Sequence, residues 1–174
     1  EGEVEHHHRT TYPMDPETGQ ADSEVSWVFV ANRAVVDVDI DLGLVRVIQI
    51  TTGQDVGKAI NPLSVIGQIE GATSQGLGLA VMEEVVLTDG LIQNPSFTDY
   101  LLPTALDMPP VEIAALIEQP EPGAPFGATG VGEPPAISST AAVAAAVRRA
   151  TGLDLPRVPI RPADIAFRGG TGQR

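Results

Sequence analysis

The sequence predicts an α+β fold in which mixed and antiparallel strands pack with two main helices, and three observations carry that prediction. A run rich in β-branched residues alternates over residues 25–50 and is broken once, at Asp41-Leu42-Gly43. Asn61-Pro62 then opens a stretch of helical period that continues to about residue 82. An Ala-rich stretch later closes on Arg148-Arg149 and Gly152, as helix C-termini prefer. With 174 residues, 43% of them hydrophobic, there is material for the core of one ordinary domain.

Residues 1–22 hold acidic residues, a His triplet and the turn-like Asp15-Pro16-Glu17-Thr18-Gly19, so an extended, loosely attached lead-in is expected. Val25 to Ile40 reads as one long strand or two short ones. Leu44 to Ile50 is its antiparallel partner, with Val45, Val47 and Gln49 on one face and Leu44, Arg46, Ile48 and Ile50 on the other. Residues 51–57 are expected to form a loop. On the helix over 62–82, Val65, Ile69, Thr73 and Gly76 share a stripe, while each interior Gly costs about 1 kcal/mol relative to Ala. A close neighbour must therefore approach it.

Asp89-Gly90 marks a hairpin within residues 83–93, and Val111 to Ile117 is a candidate strand. Residues 120–125 look like a linking loop. Ser138, Ser139 or Thr140 can cap the Ala-rich helix, and the remainder, with Pro156, Pro159 and Pro162, is expected to be an extended tail. The divisions are thus an extended lead-in at 1–22, a body at 23–168 and a flexible tail at 169–174.

Composition excludes several functions. Asp and Glu number 23 against 10 Lys and Arg, a net charge of -13, which argues against nucleic acid or an anionic membrane as partner. With 0 Cys there is no disulfide and no thiolate site for zinc or an iron-sulfur cluster. No run reaches the roughly 20 apolar residues of a membrane span, and the N-terminus lacks the order of a signal peptide, so the expectation is a soluble, cytoplasmic chain. His6-His7-His8 cannot all face one ion, and no metal is assigned to it. The acidic stretch from Asp15 to Glu24 lacks the order of a calcium loop. Phosphate-loop, nucleophile-elbow and zincin motifs are absent.

Two segments remain. Gln68 and Gln75 lie seven residues apart on the glycine-rich helix, near one face, where a flat polar ligand or another backbone could come close; a packing face with two surface amides is the plainer alternative. Between Glu121 and Asp154 the only acidic residue is Glu133, set between Gly130-Val131-Gly132 and Pro134-Pro135. A carboxylate on so stiff a turn suits a positioned general base, although an ordinary loop Glu is the simpler account.

Asp55-Val56-Gly57 through Asn61-Pro62, Gly67-Gln68-Ile69-Glu70-Gly71, Gln75-Gly76-Leu77-Gly78 and Gly130-Val131-Gly132-Glu133-Pro134-Pro135, in that order and spacing, resemble the C-terminal part of the molybdopterin-binding subunit of the xanthine dehydrogenase and aldehyde oxidase family. Pro16-Glu17-Thr18-Gly19-Gln20, Asn94 to Tyr100 and Asp107-Met108-Pro109-Pro110 most resemble its bacterial purine-catabolising members. The resemblance implies that Glu133 is the catalytic glutamate, the general base in hydroxylation of a purine ring carbon. It further implies that Gln68 and Gly132 contact the molybdenum cofactor, molybdopterin or its cytosine dinucleotide. Iron-sulfur clusters and FAD would reside on partner chains in an oligomer, together with the rest of the molybdopterin-binding subunit. The family's subunits are several times longer, so the chain resembles a fragment or split subunit, expected to be inactive alone. An aldehyde or another N-heterocycle as substrate, or a non-catalytic assembly module, are the alternatives.

Overall fold

A computed structural model describes residues 2–167. Its centre is a three-stranded sheet in the order β1-β2-β5, formed by β1 (Val30–Asp39), β2 (Leu44–Asp55) and β5 (Val111–Ile117). β1 and β2 are antiparallel through the turn at Gly43, and β5 joins the other side of β2 in parallel. Helices α1 (Pro62–Val81) and α2 (Pro134–Thr151) pack on each other and supply much of the core against the sheet. A small hairpin, β3 (Leu87–Thr88) and β4 (Leu91–Ile92), turns at Asp89-Gly90, both in the left-handed region as such a turn requires. The α+β class and the two main helices are those the sequence predicts.

Four local expectations need correction. The β1–β2 ladder begins at Val30 rather than Val25: Phe29 O still accepts from Asp55 N at 2.9 Å, but the Trp27 and Phe29 side chains stay exposed. β2 runs through Thr51–Asp55, which the sequence suggests is a loop; as the central strand this segment is paired on both sides, and Thr52 and Gln54 are wholly buried. A β-bulge shifts the register between Val35 and Val36, pairing Val35 with Gln49 and Val36 with Val47. The extra residue, Ile48, moves Ile50 onto the inward face with Val47, against simple alternation. Finally, residues 153–167 are no extended tail: Leu155, Ile160 and Ile165 pack with Ala144 and Val147 of α2, and α3 (Pro162–Ala166) closes the segment. The backbone N–H of Ile160 also donates to Ala80 O at 2.8 Å.

The core has three apolar parts. Val47 and Ile50 meet Leu77, Ala80 and Val143; Val56 meets Val65 and Ile69; the third is the closing segment against α2. Each of the larger side chains contributes about 1.5–3 kcal/mol by leaving water. Residues 2–29 are mostly exposed and irregular, fastened by an Arg9–Asp22 ion pair of 2.7 Å and a bridge between Tyr12 and Asp22. The expected tail at 169–174 lies outside the described residues. Among the described residues no helix is long and apolar enough to cross a membrane.

Candidate functional site

α1 starts where the sequence predicts. Asn61 is its N-cap, the Asn61 side chain accepting from Ser64 N at 3.1 Å, and Pro62 stands where a missing N–H costs nothing. Val65, Ile69, Thr73 and Gly76 face inward, all buried. The glycines divide into two sets. A Cβ at Gly76 would lie 1.8 Å from Ser139 Oγ and 3.1 Å from Ala136 O, so this glycine lets the first turns of α2 touch α1. Gly67 and Gly71, by contrast, have no atom within 4 Å of such a Cβ, and with exposed Gln68 they form an open face.

Facing the N-terminal half of α1 is the segment Ala128–Glu133. It is held by Thr129 N donating to Val56 O at 3.2 Å, a contact made possible by Gly57, whose φ of +64° and 2.3 Å clearance from Gly127 O admit no side chain. Between the segment and α1 lies a cleft of about 170 Å³ lined by Asn61, Ser64, Val65, Gln68, Thr129 and Val131 among others. Lys58 on its wall is paired with Glu118 at 3.0 Å. The Glu118 carboxylate is held below its usual range, first by the Ala59 N–H at 2.8 Å and then by Lys58.

Glu133 ends this segment as the N-cap position of α2. The helix starts at Pro134, four residues before the hydroxyls the sequence offers as caps: Ser138, Ser139 and Thr140 lie inside it, bonded to neighbours instead. Because Pro134 and Pro135 occupy the first two helical positions, neither offers an N–H. The third, Ala136 N, donates to Glu133 O at 2.9 Å. No helix amide is left for the carboxylate, and the exposed Glu133 side chain makes no capping bond. The two prolines therefore leave its oxygens uncommitted, which a carboxylate needs if it is to accept a proton from elsewhere.

Gln68 and the Glu133 loop, 65 residues apart, come together: a Cβ at Gly132 would sit 3.3 Å from Gln68 Oε1. Gln75 is exposed two turns further along and does not line the cleft. His6, His7 and His8 are exposed in the lead-in, His7 lying 3.0 Å from Glu5. Sequence reasoning missed Lys58, Ser64 and Thr129 on the cleft wall, and also Asn32, whose signal is an amide within the otherwise apolar alternation of β1.

A family model described as the molybdopterin cofactor-binding domain matches residues 1–109. The chain is 34% identical over 171 residues to the 6-hydroxypseudooxynicotine dehydrogenase complex subunit gamma of Paenarthrobacter nicotinovorans, covering 88% of this chain and 22% of that one. It is 37% identical over 131 residues to the xanthine dehydrogenase molybdenum-binding subunit of Escherichia coli O157:H7, covering 73% and 17%. The aldehyde oxidoreductase of Desulfovibrio gigas superposes with a TM-score of 0.82 at 31% identity, over 90% of this chain and 17% of that one. The chain belongs to the molybdopterin cofactor-binding domain family of the molybdenum hydroxylases. It spans about a fifth of the length of the relatives it matches.

Proposed function

We propose that this chain forms the C-terminal wall of the cofactor and active site of a xanthine dehydrogenase-like molybdenum hydroxylase, with Glu133 as general base in the oxidative hydroxylation of a purine ring carbon. The observation that carries the reading is the meeting of Gln68 and Gly132 beside a carboxylate that its own helix leaves uncommitted. A merely structural turn would not require that approach, which counts against a non-catalytic assembly module. The open glycine face at Gly67 and Gly71 fits a flat heterocycle.

Gln68 would hydrogen-bond the edge of the pterin, and Gly132 would let the backbone come near it. When bound, the molybdenum cofactor supplies oxygen transfer and two-electron redox chemistry. Glu133 would accept the proton released as the oxygen nucleophile forms, and would stand as a neutral carboxylic acid beside the reacting carbon until it gives that proton up. Iron-sulfur and FAD groups would lie on other chains of a cytoplasmic complex, and one relative is itself named as a complex subunit. The relatives' names include an aldehyde oxidoreductase and a dehydrogenase of a nicotine derivative, which supports an aldehyde or another N-heterocycle as the second reading of substrate.

In the complete complex, Glu133→Ala is expected to lower purine hydroxylation by about 10²–10⁴-fold with molybdenum content unchanged. Turnover retained in that variant would remove Glu133 from the base role. Gln68→Ala should instead lower molybdenum content, measured by elemental analysis against protein.

A further inference from the structure

We propose that Asn32 is a positioning residue for Glu133: from the edge strand β1 it fixes the first turn of α2, and through that turn the carboxylate. The Asn32 amide donates to Pro135 O at 3.1 Å and to Ser138 Oγ at 2.8 Å, although 103 and 106 residues separate them in sequence. These acceptors lie two and five residues beyond Glu133. The start of α2 is also held by α1, through the Gly76 contact with Ala136 O and Ser139, and through Thr140 Oγ1 donating to Gly76 O at 2.8 Å. The α1 contacts reach residues 136, 139 and 140, beyond the two prolines. The hydrogen bonds that reach the prolyl turn itself from outside α2 come from Asn32.

A second observation marks the region as built for this purpose. Asn32 pairs directly with Thr52, so the two share one face of the β1–β2 ladder, and Gln54 follows two residues on. Thr52 and Gln54 are wholly buried, and Thr52 Oγ1, both amide atoms of Gln54 and Asn32 Oδ1 have no partner within the protein. On β2 they stand between Ile50, which packs on Leu77, and Val56, which packs on Val65 and Ile69; on α1 the corresponding residue is Thr73, also buried and unpartnered. A polar layer thus interrupts the apolar core behind the catalytic loop. Burying such groups is destabilising, so an apolar layer would serve stability better, and a polar one here fits a role in fixing geometry.

The inference rests on Glu133 being the base, and the test separates the two. In the intact complex, Asn32→Ala is expected to lower kcat about 10–100-fold through small displacement of Glu133, with KM and molybdenum content within twofold of wild type. Amide exchange should accelerate in residues 136–140 and not in α1. Ser138→Ala, which removes one acceptor from an otherwise intact helix, should reproduce the effect in weaker form, a kcat loss of about three- to tenfold. If Glu133→Ala retains turnover, the base assignment fails, while the exchange readout still tests the hold of Asn32 on α2. If Glu133→Ala is inactive but both other variants keep wild-type kcat, or change KM and molybdenum content instead, or leave exchange in residues 136–140 unchanged, the positioning role is overturned. Should Asn32→Ala fail to fold, Ser138→Ala decides by the same criteria.

Discussion

At the scale of single residues, the chemistry of the site depends on which polar groups are already engaged. Lys58, the cation of the cleft wall, is neutralised by Glu118, whose carboxylate also accepts from Ala59 N. Because the folded state lowers the Glu118 pKa, its stabilising effect is complete above the ordinary carboxylate range and is lost as pH falls through the depressed folded value. Glu118→Gln should therefore reduce the difference in urea midpoint between pH 7 and pH 3, and an unchanged difference would show that these bonds add nothing. Asn61 and Glu133 illustrate what sequence can reveal at this scale. The N-cap was legible because Asn-Pro is a local signal, and the lone acidic residue in a small-residue segment was legible by contrast. That Glu133 stays uncapped was not, since it depends on where the helix begins.

Among elements, the two prolines after Glu133 have an effect that can be measured. Pro135→Ala restores an N–H at the second helical position, where a capping side chain ordinarily accepts. The variant is expected to engage the Glu133 carboxylate and lower turnover by about tenfold, one capping bond being worth about 1 kcal/mol or somewhat more; turnover equal to wild type would show that the carboxylate is not captured. Gly76→Ala tests the contact between α1 and α2. Its Cβ would meet Ser139 Oγ at 1.8 Å, and overpacking of this kind costs about 1–3 kcal/mol, read as a lower midpoint in chemical denaturation. Adding Ser139→Gly should recover part of the loss. The sequence announced this contact through its accumulated glycines, but not its partner. It also misplaced the start of α2, because the hydroxyls at 138–140 imitate caps; the rule that proline favours the first helical position points to Pro134 instead. The bulge at Ile48 was hidden for a different reason: an apolar residue is acceptable on either face, so alternation alone cannot reveal a slip of register.

The whole molecule combines a modest core with much exposed apolar surface. Trp27, Phe29, Phe97 and Phe126 are each at least 72% exposed, apolar surface that the rest of an assembled subunit would cover under the proposed function. The expectation is that the chain expressed alone folds, binds an apolar dye such as ANS, purifies with substoichiometric molybdenum and does not turn over. Co-expression with the part of a relative's subunit that this chain does not span should suppress dye binding. Dye binding that persists in the assembled complex would show that these aromatics face solvent for another reason. The class of fold was legible because long periodic segments dominate it. The parallel partner of β2 was not, since nothing local in residues 111–117 specifies which strand they join.

That parallel pairing affects how the molecule forms. β2 is flanked at once by β1, across a short turn, but its other edge waits for β5, whose first residue lies 56 positions after the end of β2, beyond α1 and the small hairpin. During synthesis the hairpin of β1 and β2 therefore emerges with the outer edge of β2 unpaired over Ile50–Asp55, and the layer of Thr52 and Gln54 stays wet until α1 arrives. Closing so large a loop is slow compared with making a local turn, and an open edge meanwhile can recruit a strand from another chain. The strand order that places Gln68 beside Glu133 in the finished structure makes early folding the stage at which the chain is most exposed to misassembly.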